Sequence, residues 1–518
     1  MAHSTETSVD ASIPDPKRWW TLGVLCLSLV IVMVSNSSMN VALPSIAKDL
    51  DATSSQLQWI VDAYSLVFAG MLFAAGTLGD RFGRKGALQG GLTLLIVAAG
   101  FGIVSDSATQ VIAVRGVMGF AAAFIMPSTL SILANVFPPH ERAKAISMWA
   151  GISAGGAALG PPITGLLLEH FWWGSVFLMT TPIALLALIA GHRLVPTSRD
   201  PDETKLDVPG AVLSALGIGA LVYAIIEAPH NGWASARTIV GFVIAVALML
   251  AFVMWEQRST HPMLDVRLFL DRRFGVSSAG IAVAFFTMFG LMFLITQFFQ
   301  LVHGLSPFKA GLMILPMMMT LMVVSPRSAA LVGRFGPGAV VSIGLGIISC
   351  ALIALALVVH VDAVWPIFFV LVPMGVGMGL AMSPLTSMIM ASVPPSRAGM
   401  GSATNDATRE VGGAMGVAVL GSLTSTVYIR NLPALSALSD TGQAQARSGL
   451  AGALRAAGAL TDGKTALIAD ARSAFVDGMS VAAVSACVLV AIAALASRRF
   501  LPSAAVAHRP PDQMAAKR

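Results

Sequence analysis

Residues 19–47 read WWTLGVLCLSLVIVMVSNSSMNVALPSIA, twenty-nine consecutive positions without an Asp, Glu, Lys or Arg. About 20 apolar residues, rising about 1.5 Å each, cross a hydrocarbon core of about 30 Å, so this stretch is long enough to be a membrane-spanning helix. Thirteen further charge-free runs of at least 17 residues follow, at 63–79, 86–105, 116–139, 145–168, 170–192, 208–226, 238–255, 274–308, 310–326, 335–361, 363–396, 411–429 and 478–497. Backbone amides in lipid must bond within their own segment, and runs rich in Gly and Pro without period-two alternation favour helices over a barrel. The chain therefore reads as an all-α polytopic membrane protein with fourteen transmembrane helices.

Composition agrees, with 56% hydrophobic and 11% charged residues and a mean hydropathy of +0.79, where soluble chains carry about a quarter charged residues. The nine His are scattered, the three Cys (Cys26, Cys350, Cys487) lie at unrelated spacings within spans as small core residues, and no P-loop occurs. No metal, cofactor or enzymatic site is expected.

Numbering the loops alternately from a cytoplasmic amino terminus puts 22 of the 32 Lys and Arg on the cytoplasmic side. That bias orients helices during insertion, so both termini are expected in the cytoplasm of a cell-membrane protein. The basic residues form no patch, which argues against a nucleic-acid partner. The first 18 residues are polar, and the run after them is too long for a signal peptide.

Polar linkers divide the chain. The expected units are a tail (1–18), a six-helix bundle (19–195), a cytoplasmic linker (196–206), two inserted helices (207–256), a second linker (257–273), a second six-helix bundle (274–498) and a tail (499–518). Two matched bundles invite alternating access. Within the second bundle, 430–477 is expected to lie outside the membrane as a helical hairpin, either a spacer or a lid over the exit path.

Few ionisable residues fall within spans, and each is a functional candidate because burial in lipid costs about 2.5 to 3.5 kcal/mol at a helix centre. Asp62 lies near the outer end of helix 2, Arg115 lies in helix 4, and Asp406, Arg409 and Glu410 open helix 13. The last three stand at i, i+3 and i+4, so they share one helix face, as a proton-exchanging site or as a structural ion pair. With the helix starting near Gly399, Asp406 would sit about 10 Å and Arg409 about 15 Å along it. Ser35 and Asn40 are polar groups of helix 1 placed to line a cavity. Met288, Met292, Phe293 and Gln297 on helix 9 are adaptable cavity-lining candidates.

Three motifs carry a resemblance. The loop between helices 2 and 3 reads Gly76-Thr-Leu-Gly79-Asp80-Arg81-Phe-Gly83-Arg84-Lys85, similar to the G-x-L-x-D-R-x-G-R-[KR] signature of the major facilitator superfamily. Helix 5 carries Gly151, Gly155, Gly160, Pro161 and Gly165, resembling the antiporter motif of drug:proton exchangers, although close helix packing alone would use the same residues. Helix 1 reads Val34-Ser35-Asn-Ser-Ser-Met-Asn40-Val-Ala-Leu-Pro44, similar to the L-D-x-T-x-x-N-V-A-L-P signature of fourteen-helix antiporters of the EmrB/QacA type, with Ser35 in place of Asp. The resemblance implies a proton-coupled exporter of small amphipathic substrates, monomeric in lipid, in which Asp80 and its basic neighbours latch the bundles near the start of helix 13. It also implies that the missing helix 1 carboxylate disfavours dications. A dedicated exporter of a lipid, siderophore or other metabolite is the alternative; a membrane-embedded transferase or a sensor is the alternative from another class.

Overall fold

A computed structural model describes residues 16–197, 207–259, 266–393, 398–432, 438–458 and 463–502, with 262, 264 and 460. Most of the two expected tails and the linker 196–206 lie outside the described residues, as does part of the linker 257–273. The described chain is all-helical: α1 (Arg18–Asp49), α2 (Ser54–Phe82), α3 (Arg84–Ile103), α4 (Ala108–Val136), α5 (Pro139–His170), α6 (Ser175–Leu194), α7 (Val208–Asn231), α8 (Ala236–Arg258), α9 (Arg272–Gln297), α10 (Pro307–Phe335), α11 (Pro337–Val358), α12 (Trp365–Ala391), α13 (Ala398–Asn431), α14 (Asp440–Arg447), α15 (Leu450–Gly458) and α16 (Lys464–Phe500). A 3-10 turn precedes α9, and a π turn, Phe298–Val302, extends it.

Twelve of these helices are long and apolar enough to cross a membrane. Against the expected fourteen, α2 and α5 are not among the twelve, although at 29 and 32 residues they are as long as the others. The twelve are counted among the described residues, and some side chains of each of these two helices lie outside them.

Helices α1 to α6 pack chiefly on one another, and α9 to α13 with α16 do the same. The first group is fastened where the chain enters it: the Arg18 guanidinium pairs with Glu141 of α5 at 2.7 Å, and the Thr21 hydroxyl donates to the Leu194 carbonyl of α6 at 2.8 Å. In the second group the Gly338 amide, at the start of α11, donates to Pro502 after α16 at 3.1 Å. Both ends of the described chain thus lie at one end of the molecule, here the near end; the α1–α2 turn and α14–α15 lie at the far end.

Glycines set the tightest crossings. Gly379 of α12 faces α10, where an added Cβ would stand 2.9 Å from Val324 Cβ. Between α2 and α3, Gly83 adopts φ +116°, a backbone that other residues rarely enter, which closes the turn at this point. The Lys85 ammonium there donates to the His192 carbonyl of α6 at 2.7 Å. Of the three cysteines, Cys26 and Cys487 are buried as expected, but Cys350 is exposed on the outer face of α11.

Candidate functional site

The centre of the first group is organised around Arg115, which is wholly buried on α4. Its Nε donates to the Ile60 carbonyl of α2 at 3.0 Å, its Nη1 donates to the Ser35 carbonyl of α1 at 3.3 Å, and its guanidinium lies 4.3 Å from the centre of the Tyr64 ring. One cation therefore ties three helices. Arginine suits this position because its planar fork serves separate acceptors while stacking on an aromatic face. Its Nη2 has no hydrogen-bond partner, and neither do the Ser35 hydroxyl, the Tyr64 hydroxyl or the Asn40 Oδ1 nearby in sequence, all buried.

Across from it, α13 begins at Ala398, one residue from the expected start, and brings Asp406, Arg409 and Glu410 inward. Arg409 Nη1 lies 3.5 Å from Asp406 Oδ1, its Nη2 donates to the Thr386 hydroxyl of α12 at 3.2 Å, and its guanidinium faces the Phe285 ring at 5.5 Å. Thr386 in turn donates to Asn405 Oδ1, and Asn405 Nδ2 donates to Asp406 Oδ1, each at 3.2 Å. Asp406 and Arg409 thus form a pair held within the second group. Glu410 departs from this arrangement: buried on the same helix, it faces Ser65 of α2 across the seam between the groups, within electrostatic range of Tyr64 and Arg115, and its Oε2 has no hydrogen-bond partner.

Asp62, the candidate expected near the outer end of helix 2, is the ninth residue of α2. It is fully buried, and neither carboxylate oxygen has a hydrogen-bond partner. It stands on an α2 stripe with Ser65, with Ser55, which bonds to α7, and with Gln58, which accepts from Ser422 of α13.

The helix 9 candidates divide. Phe293 and Gln297 line a small pocket at the far end with Gln58, Gly421 and Tyr428, where Gln297 Nε2 donates to its own helix at Phe293 O, 2.9 Å. Met292 is buried and Met288 partly so, both within the core packing.

The glycines of α5 explain the shape around this cluster. A Cβ on Gly165 would stand 2.5 Å from the Pro307 carbonyl, and one on Gly311 would stand 2.6 Å from the Pro161 carbonyl, so α5 and α10 touch backbone to backbone at the far end. A Cβ on Gly156 would stand 3.3 Å from Val30 of α1, and one on Gly160 would meet Ser37 and Ser38. Gly151 and Gly155 share the helix face of Pro162 at i−11 and i−7, yet nothing lies within 4 Å of either. Among these glycines, contact between α5 and α10 is confined to the stretch Pro161–Gly165.

Bonds between the two groups gather at the far end. Gln300 Nε2 donates to the Val41 carbonyl at 2.9 Å, the Ser54 amide donates to the Ser448 carbonyl at 2.8 Å, and Arg455 of α15 pairs with Asp51 at 2.9 Å while also donating to the Ala47 carbonyl. Within the expected outer segment 430–477, α14 and α15 form a helical hairpin seated on both groups, while 464–477 open α16. His303 sits in the α9–α10 turn against the Phe298 ring; burial lowers its imidazole pKa against the opposing pull of Asp362.

At the proposed latch, Gly76 and Gly79 approach α4 at Pro127 and Ser128, and Arg81 is exposed. The Asp80 side chain lies outside the described residues, as do residues 394–397 before α13. Sequence reading missed Tyr64, Ser65, Gln58 and Thr386. The one available signal was a tyrosine, of three in the chain, inside a charge-free run.

Two groups of long apolar helices, bonded to each other at the far end and enclosing buried ionisable side chains along their seam, define a membrane transporter. A family model, the Major Facilitator Superfamily, matches residues 25–417, and the chain belongs to that family. The multidrug efflux pump LfrA of Mycolicibacterium smegmatis is 36% identical over 486 residues, covering 92% of this chain and 95% of the relative. The methyl viologen resistance protein SmvA of Salmonella typhimurium is 34% identical, covering 91% and 95%. A bacterial homologue of the human lysosomal transporter Spinster, solved in an inward-facing, unoccupied conformation, shares the fold at 18% identity with a TM-score of 0.67, covering 94% of this chain and 98% of that one.

Proposed function

We propose that this protein is a proton-coupled multidrug exporter of the cell membrane that moves amphipathic compounds by alternating access. In this reading α2 and α5 also cross the bilayer, giving fourteen spans of the EmrB/QacA type. Residues 19–195 and 274–498 are the two rocking bundles, 207–256 are inserted, and both termini are cytoplasmic. The near end then opens to the cytoplasm, and α14–α15 close the outer side. The observation that carries the reading is the buried cluster Arg115, Tyr64, Ser65, Glu410 at the seam of two groups bonded to each other at the far end. The names of the relatives support drugs as cargo.

Glu410 is the coupling carboxylate in this account, because it is the acid of α13 that reaches across the seam. A carboxylate shut away from water is costly unless paired or protonated, so the state of the seam and the state of its proton are linked. Asp406, neutralised by Arg409, keeps its charge partner throughout. Asp62 is a second acid on the proton path.

In proteoliposomes with an imposed pH gradient, Glu410→Gln is expected to lose gradient-driven efflux at least about 100-fold while still binding drug; Asp406→Asn is expected to be affected less. Undiminished, pH-driven efflux by Glu410→Gln would remove Glu410 from the mechanism.

Ser35 sets a preference among cargoes. Its carbonyl, rather than a carboxylate, meets Arg115, so the helix 1 side of the cavity lacks a negative charge. Ser35→Asp is expected to raise methyl viologen efflux about five-fold, the worth of one added partly screened charge, and to leave neutral drugs unchanged. Uptake into everted vesicles measures both.

A further inference from the structure

The pair α7–α8 reads in sequence as an insertion, but only α8 lies at the periphery, with little of its surface covered. Helix α7 lies in the seam between α2 and α13 and packs on both. Val222, Ile225 and Ile226 of α7 form one buried cluster with Leu66 of α2 and Ala414 and Ala418 of α13. Gly70 of α2 lets Ala215 approach so closely that an added Cβ would stand 2.8 Å from Ala215 Cβ.

Two adjacent α7 carbonyls are bonded in opposite directions. Ser422 of α13 donates to Ile225 O at 2.8 Å, and Ser55 of α2 donates to Ile226 O at 3.4 Å. Pro229 explains why the first carbonyl is available: proline has no N–H, so the carbonyl four residues before it has no helical donor. Beyond the turn, Trp233 Nε1 adds a bond to Thr426 of α13 at 3.1 Å.

We propose that α7 is a releasable clasp holding the α2–α13 seam shut at the far end, and that Pro229 makes the clasp by leaving the Ile225 carbonyl for Ser422. A bond that exists only while the seam is closed biases the two-state equilibrium toward the conformation described here, whatever the cargo.

The test is the distance distribution between spin labels at Asp106→Cys and Asp362→Cys, two exposed far-end sites on opposite groups, in a Cys350→Ser background that removes the exposed native thiol. Ser422→Ala and Pro229→Ala are each expected to raise the far-open population about five-fold, and Ser422→Thr to restore it. Pro229→Ala separates the clasp from the neighbouring contact of Ser422 with Gln58 Oε1 at 3.4 Å, which it leaves intact. A shift with Ser422→Ala but none with Pro229→Ala, or none with either, overturns the proposal. The readout needs no transport, so it stands apart from the assignment of drugs as cargo.

Discussion

Replacing Arg115 with Gln is expected to abolish efflux while leaving a protein that inserts and stays monodisperse in detergent. Arg115 is the one side chain that joins the Ser35 carbonyl, the Ile60 carbonyl and the Tyr64 ring. Gln is too short to serve both carbonyls and brings no cation to the Tyr64 face. The Glu410 carboxylate also loses its buried cationic neighbour, and removing one member of a buried charge arrangement costs about 3–5 kcal/mol. At about 1.4 kcal/mol per factor of ten, transport falls at least about 100-fold. Arg115→Lys keeps the charge but not the fork, and is expected to keep only a small fraction of the rate. Efflux of a fluorescent cation from loaded cells, normalised to membrane protein, reads both. Near-normal efflux by Arg115→Gln would mean that the brace carries no part of the cycle.

The second large effect is expected from Gly165→Val. Its Cβ alone would meet the Pro307 carbonyl at 2.5 Å and Phe308 Cα at 2.6 Å, and these are backbone atoms that cannot rotate aside. The far end then closes only if α5 and α10 move apart. Overpacking of this kind costs about 1–3 kcal/mol, which reduces the far-closed population about 5- to 100-fold. The spin-label pair at positions 106 and 362 is expected to show the far-open distance as the major one, and efflux is expected to stop. Gly151→Ala is the comparison, since nothing lies within 4 Å of that glycine, and it is expected to leave the distribution unchanged. An unshifted distribution in Gly165→Val would show that this crossing does not govern closure.

Hydropathy made the helical membrane architecture legible, because length and apolarity are properties of each segment alone. It was least informative where function broke the pattern. The charge-free run 411–429 understates α13, which begins at Ala398, because Asp406, Arg409 and Glu410 lie inside the helix. The run 478–497 likewise understates α16, whose first turns from Lys464 project beyond the apolar stretch.

Helical spacing placed Asp406 and Arg409 together correctly. It could not say that Glu410, one residue on, turns to a different helix, because partners across a seam are a tertiary matter. The same limit hid the burial of Asp62 and the seat of α7. The α5 glycines show the two readings of one motif side by side: Gly156, Gly160 and Gly165 are packing residues, while Gly151 and Gly155 face open space.

The most direct test of proton-coupled export is to add drug to liposomes holding the purified protein and a trapped pH indicator, with no imposed gradient. Drug moving down its own gradient should drive protons in the opposite direction, and Glu410→Gln should silence that signal while drug still binds. Drug flux with no accompanying proton movement, unchanged when a protonophore is present, would contradict the account.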